Sequence, residues 1–320
     1  MNCKHCGSEK TKKHGSFKNR NGTTQRHFCR DCGKSFSVSN NNGMRVHKEK
    51  IHLAVKLLCE ASGVRAASRI TGLHQQTVLR ILKVAGTIAG QFMQDKARGL
   101  KCEVVAADEV HSYVHCRDMA VRGDARGKGT HFTFFAVDQK SKFIIGTATD
   151  GRTAEAAESF LRTVKSRVSG RFQLNTDAWR GYCGFGGKTN AVKRVFGGEV
   201  DHVTEEKTFY KLGQFTTRTL AKTVRKCRVG NPDLDKASTS VVERTNLNLR
   251  HFTRRFTRCT LSFSKKLINH RLAVDLFVWH SNFARKHATI KTAPAVALGL
   301  SVAIMHTVDL WNTGVGNNAV

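Results

Sequence analysis

Three acidic side chains occupy positions where the surrounding sequence is apolar or basic. Asp108 interrupts the apolar run "CEVVAADEV", Asp177 ends the run "RFQLNTD", and Glu243 is the only acidic residue between Asp235 and Asp275. A carboxylate is costly to bury unless another group compensates its charge. Three converging carboxylates suit a two-metal phosphoryl-transfer site, because together they hold two Mg²⁺ ions about 3.5–4 Å apart. The pattern therefore predicts that Asp108, Asp177 and Glu243 are catalytic and bind Mg²⁺, or Mn²⁺.

Each of these acids also has an ordinary structural interpretation when it is considered alone. Asp108 could cap a strand end, Asp177 could form a turn, and Glu243 could pair with Arg244 or Arg250. The joint placement of the three on a strand, a strand end and a helix favours the metal site over these alternatives.

Hydrophobic periodicity predicts the elements that position the two aspartates. Apolar runs in 101–109, 131–138 and 143–149 predict three strands, which a helix in 152–168 and a strand ending at Asp177 follow. Three strands, a helix and a fourth strand predict a mixed α/β layer. Asp108 and Asp177 can then be neighbours across the sheet.

Glu243 falls on a predicted helix that begins at about residue 239. The core-facing stripe of this helix consists of Val242, Thr245, Leu249, Phe252 and Phe256. Glu243 lies about 100° around the helix from that stripe. One carboxylate can therefore face the acidic pair of the sheet while the neighbouring cations face DNA.

Four cysteines near the amino terminus form two CxxC pairs. Cys3 and Cys6 lie in "CKHC", Cys29 and Cys32 lie in "CRDC", and a glycine follows each pair. Two such knuckles complete a tetrahedral Zn²⁺ shell. Because four cysteines leave no open coordination position, the spacing predicts a structural zinc site in a zinc ribbon.

A helix-turn-helix follows the ribbon in the predicted order of elements. In "GVRAASRITGLHQQTVLRILK", 64–70 and 75–83 are predicted helices and 72–74 is the turn between them. The second helix of this motif presents polar side chains to base edges. The candidates for DNA contact are Gln75, Gln76, Thr77 and Arg80. An ordinary helical hairpin would show the same pattern, but the adjacent ribbon and the basic charge favour DNA binding.

The charge balance predicts a polyanionic partner. The chain has 320 residues and a net charge of +30, from 54 Lys and Arg against 24 Asp and Glu. Phosphates of a polyanion would neutralise this excess, and together with the ribbon and the helix-turn-helix we expect the partner to be double-stranded DNA. The longest mostly apolar run, Ala295–Met305, is shorter than the roughly 20 residues of a membrane span, and no signal peptide is predicted. The paired cysteines indicate metal binding in a reducing compartment, so we expect a cytoplasmic, nucleoid-associated protein.

Over nearly its whole length the sequence resembles the DDE transposases of small bacterial insertion sequences, in the group named for insertion sequence one. The segments that carry the resemblance are the cysteine pairs, the helix-turn-helix, "DE" after the first strand, "TDAWRGY", "TSVVERTNLNLRHFTRRFTR", "FSKKLINHRLAV" and "NFARKHATIKTAPAVALGL". The resemblance implies a ribonuclease-H-like catalytic domain in which Asp108, Asp177 and Glu243 are the metal ligands. Glu109, adjacent to Asp108, is the alternative to it.

The resemblance also implies DNA contacts along the helix that carries Glu243. Asn246 and Arg250 would contact scissile or flanking phosphates, and Arg244 is a further candidate for DNA binding. The implied function is Mg²⁺-dependent cleavage of the terminal inverted repeats and strand transfer into target DNA. Joining two ends in concert implies a homo-oligomer in a synaptic complex.

Four domains are predicted. They are a zinc ribbon (1–40), a helix-turn-helix domain (44–98), a ribonuclease-H-like α/β catalytic domain (101–300, with an insertion around 184–238) and a C-terminal tail (301–320). Two other functions are compatible with the motifs: a domesticated DNA-binding regulator with an inactive catalytic domain, and a nuclease that hydrolyses DNA without strand transfer.

Overall fold

Three short strands at the amino terminus form a small antiparallel sheet. The computed structural model describes residues 2–19, 22–37, 44, 46–184, 190–210 and 219–313. Strands β1 (Thr11–Asn19), β2 (Gly22–Cys29) and β3 (Ser35–Ser37) pair in that order. Phe36 is buried beside Cys3 and Cys29, so this small unit has a core of its own.

Three helices follow the small sheet. They are α1 (Lys48–Cys59), α2 (Val64–Thr71) and α3 (Gln75–Lys96). Gly72, with φ of 67°, ends α2 in the left-handed conformation that glycine adopts without strain. The sequence predicted that the third of these helices would end near residue 83, but α3 continues to Lys96 because its apolar stripe continues and is buried.

The centre of the molecule is a mixed sheet of six strands. These are β4 (Val104–Val114), β5 (Gly129–Asp138), β6 (Ile144–Asp150), β7 (Phe172–Thr176), β8 (Val200–Tyr210) and β9 (Thr219–Val229). Their order is β6-β5-β4-β7-β8-β9, with β4 parallel to β7 and β7 parallel to β8, while the other neighbours are antiparallel. The three strands, helix and fourth strand predicted from the sequence are present, and the sheet is compatible with a ribonuclease-H-like fold.

Helices cover both faces of this sheet. They are α4 (Ala154–Arg167), α5 (Arg180–Cys183), α6 (Ala191–Phe196), α7 (Ser240–Phe252), α8 (Leu267–Trp279), α9 (Pro294–Ala297) and α10 (Thr307–Thr313). Successive residues of a strand point to opposite faces. Phe134 of β5 packs on Phe160 of α4, and Phe135 packs on Phe277 of α8. Helix α4 therefore covers one face, and α8 covers the other.

The long helix α3 packs directly on α8. Gly86 lies at the closest approach, where an added Cβ would overlap the backbone oxygen and the Cβ of Leu272. One continuous hydrophobic core consequently joins the three-helix segment to the sheet. In α10, Leu310 and Trp311 are fully buried in the same core. The predicted tail, 301–320, thus includes a packed helix, while its residues 314–320 lie outside the described residues.

The predicted insertion, 184–238, contains α6, β8 and β9. The first residues of β8 pair with β7, from Val200 to Thr204, and the remainder of β8 pairs only with β9. The side chains of β9 are mostly exposed along its eleven residues. The hairpin β8–β9 therefore extends from the sheet core as a two-stranded ribbon. Residues 185–189 and 211–218 of the insertion lie outside the described residues.

None of the helices within the described ranges is long and apolar enough to cross a membrane.

Candidate metal centre and catalytic site

Asp108 and Asp177 meet at the centre of the six-stranded sheet. The parallel ladder between β4 and β7 pairs Ala106 with Asn175, so each aspartate lies two residues beyond this pair. This ladder ends there, and the edge of β4 is open beside Asp108 and Glu109. One ligand oxygen from each of Asp108, Glu109 and Asp177 lies within 4.8 Å of the others. The sequence-based expectation that the two aspartates can be neighbours across the sheet is therefore confirmed.

Glu109 approaches this cluster from the opposite face of the sheet to Asp108. In the ladder between β4 and β5, Asp108 pairs with Phe135 on the α8 face, and Glu109 pairs with Phe134 on the α4 face. Its side chain is 3% exposed. The longer glutamate still reaches the two aspartates because β7 ends before this point.

Arg152 holds Glu109 beside Asp177. Its Nε and Nη2 lie 2.6 and 2.5 Å from Glu109 Oε1, and Nη2 lies 3.9 Å from Asp177 Oδ2. The guanidinium also lies over the rings of Trp179 and Phe132, at 4.8 and 5.6 Å from their centroids. Two carboxylates and two aromatic rings therefore hold the Arg152 guanidinium in place.

The segment "TDAWRGY" builds the wall of this cluster. The backbone N–H of Trp179 donates to Asp177 Oδ1 at 3.0 Å. The Trp179 ring packs so closely on Gly181 that a Cβ there would overlap it, and it meets Tyr182 edge-on at 5.1 Å. One short segment thus orients Asp177 and also supports Arg152.

Burial dominates the protonation behaviour of the three clustered acids. It raises the pKa of Asp108 to about 6, and the charges of Asp177 and Glu243 add to this effect. It raises the pKa of Glu109 to about 7, with further contributions from the two aspartates. The pKa of Asp177 is raised for the same reason, although Arg152 opposes the shift. The cluster therefore takes up protons as the pH falls toward neutrality.

The donor set fits a hard divalent cation. Carboxylate oxygens are the ligands that Mg²⁺ and Mn²⁺ prefer. Two further oxygens, Glu109 Oε2 and Asn246 Oδ1, are buried and have no hydrogen-bond partner in the described structure. A cation is one partner that could satisfy such acceptors.

Glu243 lies near this cluster but binds other partners. Its Oε1 accepts from Lys207 Nζ and from the Thr239 hydroxyl, both at 2.7 Å. Lys207 also forms an ion pair with the buried Glu205 at 3.2 Å. Within the described residues, the carboxylates that lie within 4.8 Å of one another do not include Glu243. Its charge nevertheless raises the pKa of Asp108, so the two acids lie within electrostatic range.

The other predicted residues of α7 have three different environments. Asn246 is buried, and its Nδ2 donates to Asp108 Oδ2 at 2.8 Å. Arg250 is half-buried and lines a cavity together with Arg258. Arg244 is exposed and lines a different cavity on the other flank of α7. The structure thus brings Asn246 to the acidic cluster and places Arg244 away from it.

The four cysteines of the two CxxC pairs converge in the small sheet. Their sulfurs lie within 4.8 Å of one another, with Cys3 Sγ 3.6 Å from Cys32 Sγ and Cys6 Sγ 3.6 Å from Cys29 Sγ. Zn–S bonds of about 2.3 Å in a tetrahedron place the sulfurs about 3.8 Å apart. Backbone N–H groups lower the pKa of Cys29 to about 7, whereas burial and the neighbouring sulfurs raise the pKa of Cys6 and Cys32, so without a metal the cluster favours one thiolate among thiols. The cluster is compatible with a zinc ribbon and could bind zinc.

The predicted DNA-contacting residues of α3 lie in its first two turns. His74 caps the helix, and its Nδ1 accepts from the backbone N–H of Gln76 at 3.3 Å. Gln75, Gln76 and Arg80 are exposed, and Thr77 is half-buried. Further along α3, one face packs against α8 and the opposite face remains polar and exposed, at Lys83, Thr87 and Gln91 for example.

Three residues of this site are absent from the set predicted by the sequence. Arg152 and Lys207 are single cations in a chain rich in cations, and their partners depend on strand pairing that spacing does not reveal. Glu109 was considered only as an alternative to Asp108. Its sequence signal is the same as that of Asp108, a carboxylate in an apolar strand.

Comparisons with known proteins assign no family to the chain. No protein-family model matches it, and no curated protein matches it. Among solved structures, it is similar to a chain of the simian T-cell lymphotropic virus intasome in complex with PP2A regulatory subunit B56 gamma. The sequence identity is 15% and the TM-score is 0.36, over 77% of this chain and 74% of that chain. A similarity of this size establishes neither a family nor a function.

Proposed function

We propose that the chain is a DNA transposase of an insertion sequence, which binds terminal inverted repeats and catalyses metal-dependent cleavage and strand transfer. The observation that carries the proposal is the meeting of Asp108 and Asp177 from two adjacent strands, with a third carboxylate beside them. Buried carboxylates that converge on one point, in a chain of net charge +30, suit phosphoryl transfer on a polyanion. The sequence resemblance described above supports the same activity.

The side chains around the cluster divide the work of this reaction. Asp108 and Asp177 would hold Mg²⁺ or Mn²⁺, with either Glu243 or Glu109 as the third ligand. A divalent ion held there would lower the pKa of the attacking hydroxyl and neutralise the charge that develops on the phosphate. Asn246 fixes the orientation of the Asp108 carboxylate through its 2.8 Å hydrogen bond. Arg250 supplies a positive charge beside Asp108 for a scissile or flanking phosphate.

The amino-terminal segments would select the DNA. The exposed start of α3 presents Gln75, Gln76 and Arg80 toward solvent, as a recognition helix requires. Zinc bound by the four cysteines would fix the small sheet whose strands β1 and β2 carry basic side chains between the cysteine pairs. Joining two ends in one reaction calls for at least two copies of the chain, so we propose a homo-oligomeric synaptic complex.

Cleavage of labelled inverted-repeat ends in the presence of Mg²⁺ tests this function. The unmodified chain should cut the ends and join them to target DNA, and Asp108→Asn should do neither. Asp95→Asn, at an exposed position of α3, is a matched control that should retain activity. Cutting without joined product would indicate a nuclease, and end binding without cutting by the unmodified chain would indicate a DNA-binding regulator. Either result would contradict the proposal.

The same assay identifies the third metal ligand. If Glu243 is the ligand, Glu243→Gln should abolish cleavage while Glu109→Gln retains most of it. If Glu109 is the ligand, the two variants should behave in the opposite way. Activity in both variants would contradict a site built on three carboxylates.

A further inference from the structure

A cavity lined by basic side chains lies on the flank of α7 that faces away from the acidic cluster. A cavity of about 620 Å³ opens between the start of α7, the turn before β6 and the segment that follows α8. Its charged and polar lining includes Lys142, Arg244, Arg285, Lys286, His287 and Asn248. No carboxylate lines it.

The cations of this cavity have no acidic partner at contact distance. Lys142, Arg244, Arg285 and Lys286 form no ion pair within 4 Å in the described structure, and Glu60 acts on Arg285 only from a greater distance. By contrast, Arg152 and Lys207 at the acidic cluster are both paired.

Four cations that share a cavity repel one another unless an anion lies between them. After burial, the charges of Lys142, Arg285 and Arg244 are the causes that hold the pKa of His287 below its usual range. Three positive charges therefore act on one point of the cavity wall.

Local contacts hold three donors of this cavity in position, those of Arg285, Lys142 and His287. The Arg285 guanidinium lies 3.4 Å from the centroid of the Phe252 ring, and Lys142 Nζ donates to the Gln139 carbonyl at 2.5 Å. The backbone N–H of Thr289 donates to His287 Nδ1 at 3.2 Å, which leaves Nε2 as the protonated nitrogen of the neutral ring. The turn closes through a hydrogen bond from the N–H of His287 to the carbonyl of Thr292. Fixed donors of this kind suit a repeated anionic group such as phosphate.

We propose that this cavity binds the phosphodiester backbone of a DNA segment beyond the phosphate that is cut. The inference rests on the proposed function and deepens it. Arg244 and Asn248 lie four residues apart on one face of α7, whereas Glu243 lies about 100° and Asn246 about 160° around the helix from Arg244. The phosphates of the DNA bound at the carboxylates and those bound in the cavity would thus lie on different sides of α7.

The salt dependence of DNA binding tests this site without any cleavage. Binding of a fluorescent duplex is measured without added Mg²⁺ or Mn²⁺ at several salt concentrations, for the unmodified chain and for a Lys142→Gln, Lys286→Gln double variant. Each lost phosphate contact should lower the slope of log K against log salt by about 0.9, so the double variant should lose about 1.8. Adding Arg285→Gln should lower it further, to a total of about 2.7. The double variant retains the stacking of Arg285 on Phe252, and its folding can be confirmed by its melting temperature.

A second double variant, Arg98→Gln with Lys101→Gln, removes the same charge from an exposed segment that does not line the cavity. The proposal requires the cavity variant to lose clearly more slope than this control, and equal losses would overturn it. Calorimetry with inorganic pyrophosphate separates the two sources of phosphate. If pyrophosphate binding depends on Lys142 and Lys286 while the slope for duplex DNA does not, the cavity binds small anions and the proposal is wrong. Because no arm needs cleavage, failure of the transposase activity would not be mistaken for failure of this site.

Discussion

Replacing Arg152 by glutamine should destabilise the protein increasingly as the pH rises above neutrality. In the described structure, Arg152 is the cation that pairs with Glu109, whose side chain is 3% exposed. Without this partner the Glu109 carboxylate is best accommodated in its protonated form. The folded chain would then hold a proton that the unfolded chain releases, and this difference makes stability depend on pH.

The sign and size of this effect follow from the pKa of Glu109. Burial raises it from 4.5 to about 7, so the stability linked to this proton is complete below pH 4.5 and is lost as the pH rises to about 7. In Arg152→Gln the pKa rises further, and the loss continues at about 1.4 kcal/mol per pH unit. Between about pH 7 and about pH 8.5 the variant can lose about 2 kcal/mol of unfolding free energy through this proton, against about 0.4 kcal/mol in the unmodified protein. Because the Arg152 side chain is 39% exposed, solvent weakens its field, and we expect a difference of about 1 kcal/mol.

Urea unfolding at these two pH values, without added metal, measures the difference. Arg162→Gln is the matched control. Arg162 forms a 2.6 Å ion pair with Glu158 on the solvent-facing side of α4, so this variant should show no comparable dependence of stability on pH. Adding Glu109→Gln to Arg152→Gln removes the titrating group, so the double variant should recover the stability lost at high pH. A single variant that is equally stable relative to the unmodified chain at both pH values would refute the reasoning.

Three further predictions concern other parts of the molecule. Cys29→Ser should lower the zinc content and the binding to inverted-repeat ends, while the far-ultraviolet circular dichroism of the large sheet is retained. Cys227→Ser, outside the cysteine cluster, should change neither zinc content nor end binding. Unchanged end binding by Cys29→Ser would contradict the role of the zinc ribbon. Gly86→Ala should lower the free energy of unfolding by about 1–3 kcal/mol, because the new methyl group overlaps the backbone of α8. Gly90→Ala, the control, should be neutral or stabilising by up to about 1 kcal/mol. Denaturant midpoints measure the difference between the two variants. Burial lowers the pKa of His270 from 6.5 to about 3. The stability linked to its neutral form is therefore complete above pH 6.5 and is lost as the pH falls to about 3. His270→Gln should flatten the acid limb of a plot of melting temperature against pH.

The sheet and the aspartate pair could be predicted from the sequence because both depend on local pattern. Apolar runs give the strands, and in adjacent parallel strands the ends lie at the same edge. Asp108 and Asp177 each interrupt or end such a run, and the β4–β7 register then brings them together. The cysteine pairs were equally predictable, since CxxC spacing encodes the local turn.

The contacts that hold the acids could not be predicted in the same way. Arg152 lies 43 residues from Glu109 and Lys207 lies 36 residues from Glu243, with no spacing rule connecting either pair. In a chain with 54 Lys and Arg, the sequence offers many equivalent partners for each acid. The pairing of β4 with β5 and of β5 with β6 brings Arg152 to Glu109, and the position of α7 beside β8 brings Lys207 to Glu243.

The packing of α3 on α8 was hidden for a related reason. Gly86 lies beyond the predicted helix 75–83, and because glycine usually lowers helix stability it gave no signal that the helix continues. Its role is evident only when the facing helix is known, because the missing side chain allows the two backbones to approach. The apolar stripe of α3 indicates that one face is buried, but it does not show which element covers that face.

In the proposed metal site, the identity of the third ligand depends on which carboxylate can change partner at lower cost. Glu109 is closer to the two aspartates, but its contact with Arg152 is buried on the glutamate side and supported by two aromatic rings. The Glu243 side chain is 48% exposed, and an ion pair such as the one it forms with Lys207 is worth only about 0–1 kcal/mol. Lys207 would not be left alone, because it retains Glu205. It also lies on β8 beyond the residues that pair with β7, so movement of the β8–β9 ribbon on DNA would alter its contact with Glu243 before it disturbed the sheet. Exchange of Lys207 for a metal ion at Glu243 is therefore the easier change, even though Glu109 lies nearer.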